Sequence, residues 1–441
     1  MHSGIKNFTL VDDDMIEEKQ KSETFFQMIT LAASGATGKK VVISEKTDWP
    51  EVIRYAQEQC VLPLIGCAIL HNPNLNCGEK IRDQLLNMVR RESSANLVRR
   101  MRVMQLLAQM EAEGMAVRLI KGYAVADCYQ YPECRDSTDI DILISGKQES
   151  LVYLFLKEQG FQITPRGKTE HHAVALHPKL GKLEVHVRLY NELVTDTWFQ
   201  NVGREDLVTE SPVVASRSGE AYQTLGYTDH LIFLSLHMVK HFIRSGMNVR
   251  MMIDLAQFLA TYKNKIDADR YWHILKVLHY DTVLRCIFVI MLDTGCFTRS
   301  DFPMLSEERT NGVFWILRDL ETGGNMGIKE KERILNTYEY TRQMFLRSRK
   351  PWQYRLYMLK HKLRSAWHQM FPDREQLSIL YPVVKKAGFL RPIVRTHRMF
   401  AYPLEKLCSG VLKEQIRVDA SQLPPDAARR MEMFKALDML P

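Results

Sequence analysis

The chain has 441 residues, of which 46% are hydrophobic and 25% are charged, and its net charge is +8. This length suits two or three domains of about 150 residues each, and the composition excludes a disordered or fibrous chain. Its eight cysteines contain no CxxC pair, which excludes a zinc ribbon and a thioredoxin-like redox motif. No apolar run approaches the ~18 to 20 residues of a membrane span, and the N-terminus is acidic where a secretory signal is basic, so we expect a cytoplasmic protein without a membrane span.

The first hundred residues are predicted to form an N-terminal helical region. Asp48-Trp-Pro is typical of a helix start, because aspartate caps the first free amides and proline fits the first turn. A longer helix is expected from about Ser93, with Leu97 and Met101 on its apolar face, and Gly114 is well placed to end it.

Residues 101–215 change between strand and helix patterns and are predicted to form an α+β core with a small mixed sheet. The strands and helices share clear boundaries at glycine, proline or polar turns. In chain order they are a strand at 115–120, a turn at Lys121-Gly122, a helix at 123–131, a strand from Asp139, a helix at 147–159 and a strand at 161–164. A strand at 172–176 follows, and a turn at 177–181 pairs it with a strand at 182–189 that has one polar face.

Residues 216–441 are predicted to be a C-terminal helical region, with the clearest helices at 231–242, 250–262, 271–279 and 282–291. Within it, residues 341–400 hold 14 Lys or Arg against only Asp373 and Glu375. This basic segment is either a solvated helical face or a surface for phosphate, nucleic acid or an acidic partner.

Two aspartates, Asp139 and Asp141, stand two apart on a predicted strand, so their carboxylates leave the same face while Ile140 points into the core. Neighbouring carboxylates repel each other unless a cation neutralises them. Glu184 lies on the polar face of another strand and supplies a third carboxylate. Oxygen ligands of this kind suit Mg²⁺ that holds substrate phosphates, and two such ions serve one in-line displacement.

A phosphate-binding turn is expected where the first strand gives way to a helix. Gly122 permits a close backbone approach, and a helix N-terminus offers free amides to an anion. Lys121 and Arg135 are the predicted cations for a triphosphate, since an arginine grips two oxygens at once.

These motifs together resemble the uncharacterised bacterial nucleotidyltransferase family within the polymerase-beta-like superfamily. The resemblance rests on Leu119-Ile-Lys-Gly122, Tyr131-Pro, Arg135-x-x-x-Asp139-Ile-Asp141-Ile-Leu and Leu183-Glu-Val-His186, and extends more weakly from about residue 45 to 400. Members of the wider superfamily usually have a Gly-Ser pair in the turn, whereas Gly122 is followed here by Tyr123.

The resemblance implies an α+β nucleotidyltransferase core flanked by N- and C-terminal helical regions, with Gly122, Asp139, Asp141 and Glu184 in the active site. The implied reaction moves a nucleoside monophosphate from a nucleoside triphosphate, such as ATP, to a hydroxyl of an acceptor. Two Mg²⁺ ions are expected with the bound nucleotide, and Glu184 is expected both to bind one of them and to help deprotonate the acceptor. The acceptor, whether sugar, antibiotic, peptide, protein or tRNA, is left open, and nucleic acid is not favoured.

Three histidines are further candidates for the cleft. His186 shares the strand face of Glu184, His172 begins the neighbouring strand, and His237 lies one helical turn before His241, but each also suits a purely structural role. Asp254 is either, most simply, an ion-pair partner of Arg250 on the same helix or a residue that faces the cleft.

Two rivals to the transferase stay open. One is a catalytically inactive relative that binds a nucleotide, RNA or a partner protein, and the other is a phosphohydrolase that uses the same metals.

Overall fold

The computed structural model describes residues 6–137, 139–166, 171–190, 211–215, 221–303, 305, 312–327, 339–340, 342–344, 371, 377, 388–397 and 425–440. It is a mixed α+β protein in which a small sheet is preceded and followed in the chain by helices. The predicted fold class is therefore confirmed.

Four helices precede the sheet: α1 (Lys6–Thr37), α2 (Trp49–Glu58), α3 (Leu62–His71) and α4 (Glu79–Ala112). The predicted cap of α2 is confirmed, because the Asp48 side chain accepts a hydrogen bond from the Glu51 amide and proline occupies the first turn. The end of α4 near Gly114 is also confirmed, and that glycine has a φ of 76°.

Helix α4 differs from its prediction in its start and in its buried face. It begins at Glu79 rather than near Ser93. Leu97 and Met101 were expected to be buried, but their residues are 53% and 50% exposed. The buried stripe includes Arg100 instead, because its guanidinium forms an ion pair of 2.7 Å with the buried carboxylate of Asp127.

The same helix joins the two parts of the molecule. Leu85 and Val89, in its first half, belong to the core of the helical region, whereas Val103 and Met110, in its second half, pack on the sheet. Helix α4 therefore continues without a break across residue 100, where the boundary between the N-terminal helical region and the α+β core was predicted.

The sheet has five strands in the order β1-β2-β5-β4-β3, with only β2 and β5 parallel. The turn between β4 and β5 pairs them as predicted. The strands are β1 (Val117–Ile120), β2 (Asp139–Ile144), β3 (Gln162–Thr164), β4 (His172–His177) and β5 (Gly181–His186), and the helices between them are α5 (Gly122–Ala126) and α6 (Glu149–Glu158).

Strand alternation divides the sheet into an apolar face and a polar face. Ile140 and Ile142 of β2, with Leu183 and Val185 of β5, are buried in a core shared with α4 and α6. Because successive side chains point to opposite faces, the acidic side chains of β2 and β5 leave the other face. This polar face forms one wall of a cleft.

After the sheet the chain forms a hairpin that was not predicted, β6 (Pro212–Ala215) with β7 (Tyr222–Leu225), and then helices. The helices predicted between residues 231 and 291 are all present. They are α7 (Tyr227–Arg244), α8 (Val249–Tyr262), α9 (Ala268–Val277) and α10 (Asp281–Asp293), followed by α11 (Gly312–Gly323) and α12 (Pro425–Ala436). Most of the basic segment 341–400 lies outside the described residues. Within the described ranges, no helix combines the length and hydropathy that a membrane span needs.

Candidate functional site

A cleft of about 380 Å³ lies between the polar face of the sheet and helices α7 and α8. Its size falls in the range of small-molecule sites, roughly 300 to 1,000 Å³. All nine residues proposed from the sequence except His186 line it directly, and His186 lies beneath it. The lining includes Lys121, Gly122, Arg135, Asp139, Asp141, His172, Glu184 and His237, together with His171, Lys182, Lys240, His241, Arg250 and Asp254.

The three acidic residues meet because β2 and β5 are adjacent and in register. Asp141 is the cross-strand partner of Glu184, and Asp139 is the partner of Lys182. Directly opposed residues of neighbouring strands have Cβ atoms about 5 Å apart on the same face. Glu184 is therefore turned into the cleft beside the two aspartates and away from the apolar core.

Two lysines bridge these carboxylates. The Lys121 Nζ lies 2.7 Å from Asp141 Oδ1 and 4.0 Å from Glu184 Oε2. The Lys182 Nζ lies 2.5 Å from Glu184 Oε1 and 3.6 Å from Asp139 Oδ2. Each ammonium is thus shared between two acidic groups, in the position where a divalent cation would also be attracted.

His186 joins the acidic group from below. Its Nε2 lies 3.0 Å from Asp141 Oδ1 and 3.4 Å from Glu184 Oε2, and the residue is 1% exposed. Its other ring nitrogen, Nδ1, is buried and has no hydrogen-bond partner within the described part of the chain. The sequence placed His186 on the strand face of Glu184, and the structure adds its hydrogen bond with Asp141.

Both central carboxylates stay ionised despite burial. Burial alone would raise the pKa of Asp141, but the charge of Lys121 and the hydrogen bond with His186 outweigh it and lower that pKa. Burial would likewise raise the pKa of Glu184, and His186, Lys121 and Lys182 together lower it far below its usual range. Both side chains are therefore carboxylates that can bind a cation.

The Lys121-Gly122 turn is built differently from its prediction. The unusual backbone is at Lys121, with φ 52° and ψ −141°, a conformation that a residue with a side chain rarely adopts. Helix α5, which follows, has only five residues. A Cβ at Gly122 would lie 3.4 Å from the carbonyl oxygen of Asp139, so this glycine passes close to β2.

A buried histidine that the sequence analysis missed supports this turn. The Lys121 amide donates a hydrogen bond of 3.2 Å to His230 Nε2 on α7, and the His230 Nδ1 lies 3.4 Å from the Thr224 hydroxyl. Burial lowers the pKa of His230 to about 3, so the ring is neutral and its Nε2 can accept. No local motif marks His230, because its partner is 109 positions away in the chain.

Arg135 lies in the cleft wall, but its guanidinium is occupied by protein groups. Its Nε and Nη2 donate to both carboxylate oxygens of Asp254 at 3.0 and 2.6 Å, and its Nη1 donates to Ser137 Oγ and to the Asp136 carbonyl. Tyr129 also donates to Asp254 Oδ1 at 2.6 Å. This bidentate pair fixes α8 to the segment that leads into β2.

The partner expected for Asp254 was wrong. Among the described residues its ion-pair partner is Arg135 and not Arg250. Arg250 instead donates to the Asp136 carbonyl at 3.1 Å, and its Nε is buried without a hydrogen-bond partner. The side chains of Arg250 and Asp254 on α8 thus both line the cleft.

Helix α7 gives the cleft a wall rich in nitrogen. His237 and His241 are stacked edge to face with ring centroids 4.6 Å apart, as their spacing of one helical turn allows. Lys240, which the sequence analysis missed, lies between them in the lining. Burial, followed by the charge of Lys121, lowers the pKa of Lys240 to about 8. Its position three residues after His237 was the feature of the sequence that could have identified it as a residue of the cleft.

The donor set fits a divalent cation. Asp141, Glu184 and His186 each offer one ligand atom, and these atoms lie within 4.8 Å of one another. Asp139 extends the set toward the open side of the cleft. Carboxylate oxygens suit Mg²⁺, and an added imidazole is compatible with Mn²⁺.

The family of the chain follows from its sequence. A family model described as uncharacterised nucleotidyltransferase matches residues 45–291, and the chain belongs to this family. Enzymes of this class transfer nucleotidyl groups, so the protein has a nucleotide substrate. No curated protein matches the sequence.

Three solved structures show weak similarity. The solution structure of the antibiotic-resistance factor ANT(2'')-Ia has 9% sequence identity and a TM-score of 0.31, and the match covers 45% of this chain and 98% of that chain. An antigenic nucleotidyltransferase-like protein from Paracoccidioides brasiliensis has 16% identity and a TM-score of 0.26, with 36% of this chain and 75% of that chain covered. A tRNA-processing enzyme has 14% identity and a TM-score of 0.21, with 83% of this chain and 99% of that chain covered. Similarity at this level gives no indication of the acceptor.

Proposed function

We propose that the protein is a Mg²⁺-dependent nucleotidyltransferase that moves a nucleoside monophosphate from a nucleoside triphosphate to a hydroxyl group of an acceptor. The observation that carries this proposal is the register of β2 and β5. It sets Asp141 opposite Glu184, with Asp139 one step along the same face, beside the Lys121 turn.

Asp139, Asp141 and Glu184 are the proposed metal ligands. Bound Mg²⁺ would lower the pKa of an attacking hydroxyl and neutralise charge on the triphosphate and on the leaving pyrophosphate. The strongly lowered pKa of Glu184 makes this carboxylate a better ligand than proton acceptor. We therefore assign Glu184 to metal binding rather than to deprotonation of the acceptor.

The remaining polar groups have distinct proposed tasks. Lys121 and Lys240 lie on opposite walls of the cleft and suit the negatively charged phosphates between them. His186 orients Asp141 through its hydrogen bond of 3.0 Å. Arg135 was expected to bind phosphate directly, but its four hydrogen bonds within the protein favour a role in positioning β2.

We further propose that residues 101–215 are the catalytic core and that the flanking helical regions complete it. This division is supported by the cleft lining, because the carboxylates come from the core while α7 and α8 supply the opposite wall. Residues 1–100 would then stabilise the core through α4.

The test is nucleotide binding and transfer with the full chain. Isothermal titration with each NTP, with and without Mg²⁺, should show metal-dependent binding that Asp139→Asn and Glu184→Gln abolish. With α-labelled NTP and a panel of sugars, peptides and tRNA, label should move to one acceptor and pyrophosphate should be released. Nucleotide binding that is unchanged without Mg²⁺ and in both carboxylate variants would contradict the proposal. Release of labelled monophosphate without a labelled acceptor would indicate a hydrolase.

A further inference from the structure

Three imidazoles converge beside the carboxylates, and the proposed transfer reaction needs none of them as a ligand. His172 of β4 is the cross-strand partner of His186 of β5, and His171 directly precedes β4. One ring nitrogen from each lies within 4.8 Å of the others. The ring centroids of His171 and His172 are 5.3 and 5.0 Å from that of His186.

The spacing of these nitrogens resembles that of a zinc site. Zn²⁺ binds histidine nitrogens at about 2.0 to 2.1 Å in a tetrahedron, which puts ligand nitrogens roughly 3.3 to 3.4 Å apart. His171 Nε2 and His172 Nδ1 are 3.3 Å apart. One nitrogen of His186 is no farther than 4.8 Å from a nitrogen of each of the other two rings, so a small rotation of the half-buried rings of His171 and His172 would close the set.

His186 provides a second, independent indication of a ligand. Among the residues that the structure describes, its buried Nδ1 has no hydrogen-bond partner, and burial of an unpaired polar atom is costly. Its Nε2 faces Asp141. Histidines that bind a metal through one nitrogen commonly donate the other N–H to a carboxylate, and the contact between His186 Nε2 and Asp141 is of this kind.

The charged groups around the cluster act in both directions. Lys121 and Lys240 face the cluster and oppose a cation, whereas Glu184, whose Oε1 lies 3.9 Å from His172 Nε2, favours one.

We propose that His171, His172 and His186 form a binding site for one Zn²⁺ ion, distinct from the oxygen ligands proposed for Mg²⁺. The fourth coordination position would face the cleft. Because His186 contacts Asp141, occupancy of this site would be coupled to the neighbouring carboxylates. The site does not depend on the proposed transferase activity.

The site is tested by measuring metal binding to the full chain after a chelator has removed any bound metal. Zn²⁺ would be titrated against a chromophoric chelator in millimolar Mg²⁺, which occupies oxygen ligands. We expect one equivalent of Zn²⁺ to bind, and His171→Ala or His172→Ala to weaken binding by about 10²-fold or more. The control is His273→Ala, which removes an exposed imidazole of α9 and should leave binding unchanged.

Co²⁺ gives a readout of the ligands themselves. Its visible absorption should have the intensity of a four-coordinate site in the wild type and lose it in His172→Ala, while circular dichroism confirms that the variant is folded. Zn²⁺ binding that persists in both histidine variants would overturn the proposal. So would binding that Asp139→Asn removes and the histidine variants do not, because the ion would then occupy the carboxylates alone.

Discussion

Two acidic groups lie in the same cleft and are neutralised in opposite ways. Asp254 is held by one guanidinium through two hydrogen bonds, in a pair whose side chains are 7% and 12% exposed. Asp139, Asp141 and Glu184 instead share the ammonium groups of Lys121 and Lys182, each through single contacts. The Lys182 side chain is 41% exposed.

The difference separates a structural ion pair from a site that can exchange its cation. A buried bidentate pair is strongly coupled, and neither partner can leave without exposing the other. The partly exposed ammonium of Lys182 is easier to replace, because water and an incoming divalent ion can compensate the carboxylates.

The largest effect is expected when the exchangeable group loses a carboxylate. Asp141→Asn keeps the shape of the side chain but removes its charge, and should lower kcat/KM for nucleotidyl transfer by about 10³- to 10⁴-fold. Circular dichroism should show that the variant stays folded. The matched control is Asp269→Asn on the exposed side of α9, which should keep full activity. Equal activity of the two variants would remove Asp141 from the catalytic site.

The next effect concerns stability rather than transfer. Asp254→Asn or Arg135→Met breaks the bidentate pair and should lower the free energy of unfolding by about 3 to 5 kcal/mol, because an unpaired charge stays buried. Urea denaturation measures this change.

The double variant Arg135→Met with Asp254→Met is the control for that pair. It removes both charges and should lose less stability than the two single variants added together. Additive losses would mean that the pair is not coupled and that Arg135 is free to bind substrate.

This pair also marks the limit of what the sequence could predict. Strand alternation placed Asp139 and Asp141 on one face of their strand and Glu184 on the polar face of its own, because a period of two is a local property. The partner of Asp254 is 119 positions away on another element, and the local pattern pointed to Arg250 instead. Contacts made by helix packing leave no spacing signal in the chain.

The same reasoning explains which elements were predicted. Helices α7 to α10 were found from their apolar periodicity, whereas the short hairpin of β6 and β7 was missed. The exposed Leu97 and Met101 of α4 follow a helical period too, but Arg100 occupies the buried stripe since Asp127 neutralises it. An apolar stripe predicts a helix more securely than it predicts which face is buried.

A smaller effect is expected at Lys240. Lys240→Met should raise KM for the nucleotide by about tenfold, because one charged hydrogen bond to phosphate is lost. Burial, followed by the charges of Lys121 and Arg244, lowers the pKa of Lys240. The carboxylates of Glu184 and Asp141 raise it, and the resulting pKa is about 8.

The pH profile separates charge from shape at this position. Since Lys240 loses its proton as the pH rises through about 8, kcat/KM of the wild type should fall above that pH. Lys240→Arg, which stays charged, should keep its kcat/KM to higher pH. A wild-type profile that stays flat to pH 9.5 would show that this charge does not contact the phosphates.

The smallest effect is expected where a lysine competes with the metal. The Lys182 ammonium lies 2.5 Å from Glu184 and 3.6 Å from Asp139, so a Mg²⁺ ion must displace or move it. A partly exposed ion pair contributes up to about 1 kcal/mol, so Lys182→Met should lower the Mg²⁺ concentration for half-maximal activity by about threefold. The control is Lys179→Met, in the turn between β4 and β5, which should leave the Mg²⁺ requirement unchanged. If Lys182→Met instead raises the requirement, Lys182 assists substrate binding, and the carboxylates do not exchange an ammonium for the metal.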